Sequence, residues 1–386
     1  MDINTGAPAR GDNFYFRKNI ISKAWDLIES GNHILIAAPR RVGKTSVMYY
    51  LKDNPKKNFD FLFLDTESIN NENEFFRRVV NKVLKTPAIK SSQKILTSLQ
   101  KHMPSIKKIG KDGIEFGVKD VLDYFEVLKK ILKSIDTEYG QTIIMLDEFP
   151  QTLENIIVDE GEQAGRHFLH SNRELRQDEE VINHVQFIYT GSIGLENIVG
   201  KMNAPKTIND LSRLVIPPLK PVEAKDLVKR LLQNVPFKLS DLLIDYIFGK
   251  IEWLIPFYIQ LAIEGLKDLY RDEELKSIAK TDIDRMFENM LDQRNHFEHW
   301  HSRLRTTLKG DEYNFSKQLL NIISENETIQ SAEIYNIAVK YKVEDTFKDL
   351  VGALVYDGYI NNSDDKKMYR FNSPILRMWW RQNVAS

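Results

Sequence analysis

The 386-residue sequence contains no cysteine. That excludes a disulfide framework, thiol catalysis and cysteine-ligated zinc. It also lacks a surplus of either charge, since 54 basic residues face 55 acids for a formal net charge of -1. No global field therefore draws the chain to nucleic acid or to a membrane, and any such contact has to come from a local patch. Long apolar runs are missing too. The most apolar stretch, "WLIPFYIQLAI", is closed by Glu252 and Glu264 and is too short to span a bilayer. The first residues, "MDINTGAPARGDNF", have no apolar core of a signal peptide, so the expectation is a cytoplasmic protein without membrane contact. Tandem repeats and low-complexity segments are absent. What remains, 42% hydrophobic and 28% charged residues, is ordinary globular composition at a length that suits two or three domains.

The pattern along the chain alternates strands and helices before it turns helical. Residues 1–12 read as a flexible tail of small and polar residues. "NIISKAWDLIES" has helical spacing, with Ile21, Trp25 and Ile28 on one face, and stops at Gly31. "HILIAA", "FDFLFLD", "QTIIMLDEF" and "HVQFIYTGS" read as buried strands, and "SRLVIPPL" as a fifth, short one closed by Pro217 and Pro218. Helices fill the gaps, including a charged one over 161–177. Beyond 217 the strand signal fades into a helical block. From 311 three short helices lead into the hairpin-like "YINNSDDKKMYRFN" and a last helix, an order that reads as a winged helix. The expected division is a core over 13–216, a helical lid over 217–300 and a winged-helix domain over 301–386.

Within the core, residues 85–118 read as a basic insert. Seven lysines (Lys85, Lys90, Lys94, Lys101, Lys107, Lys108 and Lys111) face only Asp112 between 85 and 112. The Gly-Lys-Asp-Gly turn that follows reads as a hairpin.

"APRRVGKTS", from Ala38 to Ser46, sits between the first strand and the helix after it. It fits a phosphate-binding loop with Ala38 at the usual first glycine, a position that needs a small side chain. Gly43 lets the main chain curl so that the N–H groups of Arg40, Arg41, Val42 and their neighbours surround phosphate oxygens, with Pro39, which has no N–H, as part of the same loop. Lys44 would meet the β- and γ-phosphates, Thr45 would ligate magnesium, and the helix start adds a positive dipole end. Hydrolysis needs more than the loop. "TIIMLDEF" supplies Asp147 to hold the metal and Glu148 to orient the attacking water. If the strand of "FIYTGSIGL" lies between the loop strand and the acidic strand, Thr190, or Ser192, ends near the terminal phosphate.

Together "DNFYFRKNIISKAW", "APRRVGKTSVM", "IIMLDEFP", "FIYTGSIGL" and "IEWLIPFYIQLA" resemble the archaeal-type ATPase family. That family belongs to the STAND group of signalling ATPases, relatives of the AAA+ class. The resemblance runs from about 13 to 386. It implies an α/β fold with a P-loop parallel sheet of order 5-1-4-3-2, helices on both faces, a helical lid and a C-terminal winged helix. It implies ATP and Mg2+ as ligands, hydrolysis, and a molecular switch that couples nucleotide state to conformation or assembly. Phe16 and Arg17 match the segment flanking the adenine base. Pro256 matches a lid proline near the nucleotide, although Leu254-Ile255-Pro256 departs from the usual Gly-x-Pro. Arg166, Arg173 and Arg176 lie where AAA+ relatives place an arginine that reaches a neighbouring subunit, and Arg176 is the one chosen here. A homo-oligomer and a protein partner are therefore expected, with slow turnover by the isolated chain.

Charge argues against DNA reading by the C-terminal segment. Residues 311–386 carry eleven acids and nine basic residues, and the helix placed for reading holds Glu344, Asp345 and Asp349 against Lys348. Phosphate neutralisation dominates DNA affinity, so this favours a protein-contact or lid role, with Trp379 and Trp380 packing on the ATPase body. The second reading is an ATP-controlled nucleic-acid-binding regulator that uses the winged helix or the lysine-rich insert. A third is a scaffold that holds nucleotide without cleaving it. The histidines (His167 and His170; His296, His299 and His301) read as scattered surface residues rather than a metal centre.

Overall fold

The computed structural model describes residues 1–86, 106–110, 113–116, 123–135, 140–191, 194–292, 296–362 and 365–385, with 106–110 and 113–116 described as backbone only. By its internal contacts the chain divides into two units. One comprises Phe16–Ala37 and Lys44–Ile216; the other comprises Met1–Tyr15, Ala38–Gly43 and Pro217–Ser386. Each is described in turn.

The first unit is built on five parallel strands: β1 (Ile34–Ala37), β2 (Phe59–Asp65), β5 (Gln141–Asp147), β6 (Val185–Thr190) and β7 (Ser212–Val215). Their order across the sheet is β2-β5-β6-β1-β7, which is 5-1-4-3-2 when only these strands are counted from the other edge. Every residue of β1 and β6 is buried, as a parallel strand covered on both faces requires. Helices α1 (Lys18–Glu29), α2 (Lys44–Asp53), α3 (Glu72–Val83), α4 (Tyr124–Lys133), α5 (Phe149–Glu160), α6 (Glu162–Gln177) and α7 (Leu195–Lys201) pack around the sheet. On α1 the periodic face Ile20, Ile21, Ala24, Trp25 and Ile28 is buried, and Trp25 meets Phe59 and Phe61 edge-on at 5.4 and 5.7 Å. A cluster of rings fills the core: Phe168 packs on Phe75 and Phe149 at 4.8 and 5.1 Å, and Phe149 on Tyr189 at 4.7 Å. Helix α5 has no counterpart among the sequence expectations. It starts directly after the two acids of β5, with Pro150 in its first turn.

The expected hairpin exists as an antiparallel pair, β3 (Ile106–Gly110) and β4 (Gly113–Phe116). Its turn at 111–112 and the lysine-rich stretch from 87 to 105 lie outside the described residues.

The second unit contains helices α8 (Pro221–Leu231), α9 (Asp241–Ile251), α10 (Pro256–Asp272), α11 (Lys280–Asp292) and α12 (Glu298–Thr307). Next come α13 (Gly310–Asn326), β8 (Thr328–Gln330), α14 (Ser331–Lys340), α15 (Phe347–Tyr356), β9 (Ile360–Asn361), β10 (Met368–Phe371) and α16 (Pro374–Trp380). The last three strands form an antiparallel sheet of order β8-β10-β9.

Two expectations change here. Residues 1–12 are not a loose tail, because they bond to the second unit: the Asn4 N–H donates to Gln260 Oε1 at 2.8 Å and Thr5 Oγ1 to Glu264 Oε2 at 2.9 Å. Trp379 and Trp380 are fully buried within the second unit itself. Trp379 packs near Phe297, Trp380 near His301 and Tyr359, and Trp380 Nε1 donates to Asn321 Oδ1 at 2.9 Å.

Candidate active site

β1 ends at Ala37, and the chain turns through 38–43 before α2 begins at Lys44. Two residues of the turn have left-handed backbone, Arg41 at φ +65° and Gly43 at φ +100°. The value at Gly43 lies beyond what a side chain tolerates comfortably, which accounts for glycine there. Ala38 and Val42 are buried, whereas Arg41 is the exposed residue of the turn. Its guanidinium lies 4.3 Å from the centre of the Phe257 ring, and its Nη1 donates to the Thr5 carbonyl at 3.1 Å. Lys44, Thr45 and Ser46 form the first turn of α2, and Lys44 and Ser46 are buried.

Asp147 closes β5 beside Asp65 of β2 and is 5% exposed. Its Oδ2 accepts the Thr45 hydroxyl at 2.8 Å, and its Oδ1 accepts the Glu148 N–H at 3.1 Å. Burial lifts its pKa to about 6 and the neighbouring Glu148 charge adds to the rise, while the Thr45 hydrogen bond and Lys44 oppose it. Glu148 stands at the start of α5 with φ +55° and ψ +31°, a left-handed conformation uncommon for a residue with a side chain.

Thr190 ends β6, which lies between β1 and β5 as the resemblance implied. It is fully buried, and its Oγ1 has no hydrogen-bond partner among the described residues. Ser192 lies outside them. Gly191 is required by close approach: a Cβ there would stand 2.4 Å from Pro150 Cδ and 3.6 Å from Glu148 Oε2. The end of β6 and the first turn of α5 are therefore in contact.

The oxygen donors fit magnesium. A hydroxyl and a carboxylate are hard ligands, and Thr45 and Asp147 already converge. Among the described residues no group of three or more His, Asp or Glu gathers to hold a metal, so phosphate and water oxygens would complete the shell.

The other expected site residues differ in burial. Phe16 is 46% exposed, so it is not core, and its ring lies 5.3 Å from that of Tyr50. Arg17 is buried at the start of α1. Pro256 opens α10 at its first position.

Arg176 requires a correction. Its side chain is 2% exposed: Nε and Nη2 donate to the Asp210 carboxylate at 2.7 and 3.0 Å, Nη2 also to the Thr207 carbonyl at 2.6 Å, and Nη1 to Tyr189 Oη at 3.2 Å. A guanidinium with its fork filled inside its own unit does not reach a neighbouring subunit. Arg166 instead pairs with Glu162 on the surface, and Arg173 lines an open hollow with Lys129, His170 and Asp178.

Nor are the histidines uniformly superficial. His299 is mostly buried, and burial together with Arg41, Arg40 and Arg303 lowers its pKa to about 3. On β10, Arg370 pairs with Glu252 of the same unit.

Residues that sequence reading missed surround Asp147 and Glu148. Thr66 and Thr152 are fully buried; the Thr66 hydroxyl donates to the Asp147 carbonyl, and the Thr152 hydroxyl donates to Thr66. Only a threonine at a strand end marked Thr66 in the sequence, and no signal marked Thr152.

No protein-family model matches the chain, and no curated protein matches its sequence. Solved structures do match. A Walker-type ATPase of Pyrococcus abyssi aligns over 99% of this chain and 100% of its own, with a TM-score of 0.63 at 17% identity. The ORC2 protein of Aeropyrum pernix, solved in ADPNP and ADP complexes, aligns over 96% of this chain and 94% of its own, with a TM-score of 0.54 at 10% identity. The fold is the one these solved structures share. The P-loop fold and strand order implied by the resemblance are thus borne out. Among the described residues no helix is long and apolar enough to cross a membrane.

Proposed function

We propose that the chain is a magnesium-dependent ATPase that serves as a slow conformational switch. The observation that carries this reading is the 2.8 Å hydrogen bond from Thr45, in the phosphate-loop motif, to Asp147, more than a hundred residues away. A chance motif has no reason to meet a buried carboxylate that its chemistry requires.

The roles follow from the residues. Main-chain amides of the Ala38–Ser46 stretch and the Lys44 ammonium hold the phosphates. Thr45 and Asp147 hold magnesium, which when bound neutralises charge on the phosphate oxygens. Glu148 orients water and accepts its proton. Thr190 directs its buried hydroxyl to the terminal phosphate and so distinguishes triphosphate from diphosphate. Phe16 and Arg17 flank the base, and Pro256 contributes from the lid. Turnover is slow because Arg176 is engaged with Asp210 and Thr207 inside its own unit. The C-terminal helices and three-stranded sheet act as a winged helix in protein contact, and the chain works in the cytoplasm with an oligomeric or protein partner. DNA reading is not favoured, since the segment placed for reading brings Glu344, Asp345 and Asp349 against Lys348 and Arg370 is paired.

The test is phosphate release by the full chain with ATP and magnesium. Release disappears in Lys44→Ala and in Glu148→Gln, while Glu148→Gln still binds ATP. Nucleotide binding by the wild type without any release would reduce the protein to a scaffold.

A further inference from the structure

Glu148 is held in its left-handed conformation from both sides. Steric conflict disfavours that region for a glutamate unless the surroundings fix it. A residue's φ and ψ are set by the two peptide planes that flank its Cα. The first plane ends in the Asp147 carbonyl, which accepts both the Thr66 N–H at 3.0 Å and Thr66 Oγ1 at 2.8 Å. The Thr66 hydroxyl proton is thereby committed. Thr152 Oγ1 lies 2.8 Å from that hydroxyl oxygen and 2.7 Å from the Thr66 carbonyl, and donates into the pair. Asn155 ties the same corner by donating to the carbonyls of Glu67 and Ile69 at 2.8 and 3.0 Å. The second plane carries the Glu148 carbonyl, which accepts the Gln151 and Thr152 N–H groups at 3.0 and 3.2 Å. Thr152 therefore belongs to both restraints: its hydroxyl reaches the end of β2, and its amide reaches Glu148.

We propose that Thr66 and Thr152 form a buried hydroxyl clamp whose task is to position Glu148. Both threonines are completely buried, so water does not replace them readily. The clamp keeps the Glu148 carboxylate on the side where its Oε2 stands close to Gly191, at the end of the strand that carries Thr190. Neither threonine touches nucleotide in this account; they act through Glu148. The proposal rests on the reading of Glu148 as the group that orients water, and its test separates the two.

The experiment uses the full chain as Thr152→Val, which keeps the shape and removes the hydroxyl, and as Thr152→Ser, which keeps the hydroxyl. Crystal structures of both are compared with the wild type, and ATP turnover is measured over a range of ATP concentrations. In Thr152→Val, Glu148 leaves the left-handed region and kcat falls by about tenfold or more while KM is nearly unchanged. Thr152→Ser keeps the backbone and the rate. A purely structural role would lower Tm without moving Glu148 or splitting kcat from KM. A folded Thr152→Val in which Glu148 stays left-handed overturns the proposal whatever its turnover. If Thr152→Val does not fold, Thr66→Val is read in the same way. A wild type without turnover counts against the hydrolytic reading alone, and the backbone result still decides the clamp.

Discussion

Thr45 Oγ1 donates to Asp147 Oδ2 across 2.8 Å, so the two protein groups expected to hold magnesium meet each other in the structure. The hydrogen bond favours the charged carboxylate, yet burial dominates and leaves Asp147 with a pKa raised to about 6. The site thus keeps a carboxylate that is poorly solvated until a cation arrives.

That imbalance has a stability consequence. A carboxyl group with a folded pKa above its unfolded value contributes most at low pH, and the contribution is lost as pH rises from about 4 through about 6. Asp147→Asn removes the buried charge and keeps an acceptor for Thr45. The nucleotide-free variant should be more stable than wild type by about 3 kcal/mol at pH 8, a gap that narrows as pH falls through about 6 and closes below about 4. Urea denaturation at both pH values measures it, and the same variant should lose magnesium-dependent turnover.

His33 sets an opposite slope. Its Nδ1 accepts the Phe187 N–H at 3.1 Å, so Nε2 carries the proton and donates to the Arg176 carbonyl at 2.9 Å. Burial lowers its pKa to about 4. The unfolded chain therefore takes up a proton at this residue before the folded one does. Stability from this residue is full above about 6.5 and is lost as pH falls through about 4, by about 3 kcal/mol. A titration of the His33 ring by NMR checks the value directly: a midpoint near 6.5 would contradict it.

The Arg176–Asp210 pair is structural. Arg176→Ala leaves Asp210 and Tyr189 without their buried partner and should destabilise the protein by about 3–5 kcal/mol. Arg166→Ala, on the surface, should change stability by less than about 0.5 kcal/mol. Mixing an Arg176 variant with a Lys44 variant should restore no turnover, because Arg176 serves its own unit.

Gly191 should tolerate no side chain. Its Cβ would overlap Pro150 at 2.4 Å, and the first turn of α5, with Glu148 at its start, would have to shift. Gly191→Ala should cost about 1–3 kcal/mol of stability and lower kcat more than ATP affinity. Unchanged turnover would show that the contact between the end of β6 and α5 has no part in the chemistry.

Much of this arrangement was legible because strong local signals agree. Four apolar strands, the Gly43-Lys44-Thr45 turn and the Asp147-Glu148 pair each fix their neighbours, and the strand order is the one the resemblance implied. The failures share one cause: burial is a tertiary property. Arg176 has helical spacing and charge typical of a surface, and only the approach of Asp210, thirty-four residues on, places it inside. The N-terminal residues are small and polar, yet find partners on α10, some 256 residues away. Helix α5 hid behind "DEFP", where a proline after two acids reads as an ending, although proline also suits the first turn of a helix. Thr66 and Thr152 meet through a pairing of strand end and helix that neither short segment encodes.

The most direct test of the account is a crystal structure of Glu148→Gln with ATP and manganese standing in for magnesium, located by its anomalous signal. The account predicts one strong peak about 2 Å from Thr45 Oγ1 and bridged to Asp147 directly or by one water, with the β- and γ-phosphates at Lys44. A metal bound away from Thr45, or phosphates held elsewhere, would contradict it.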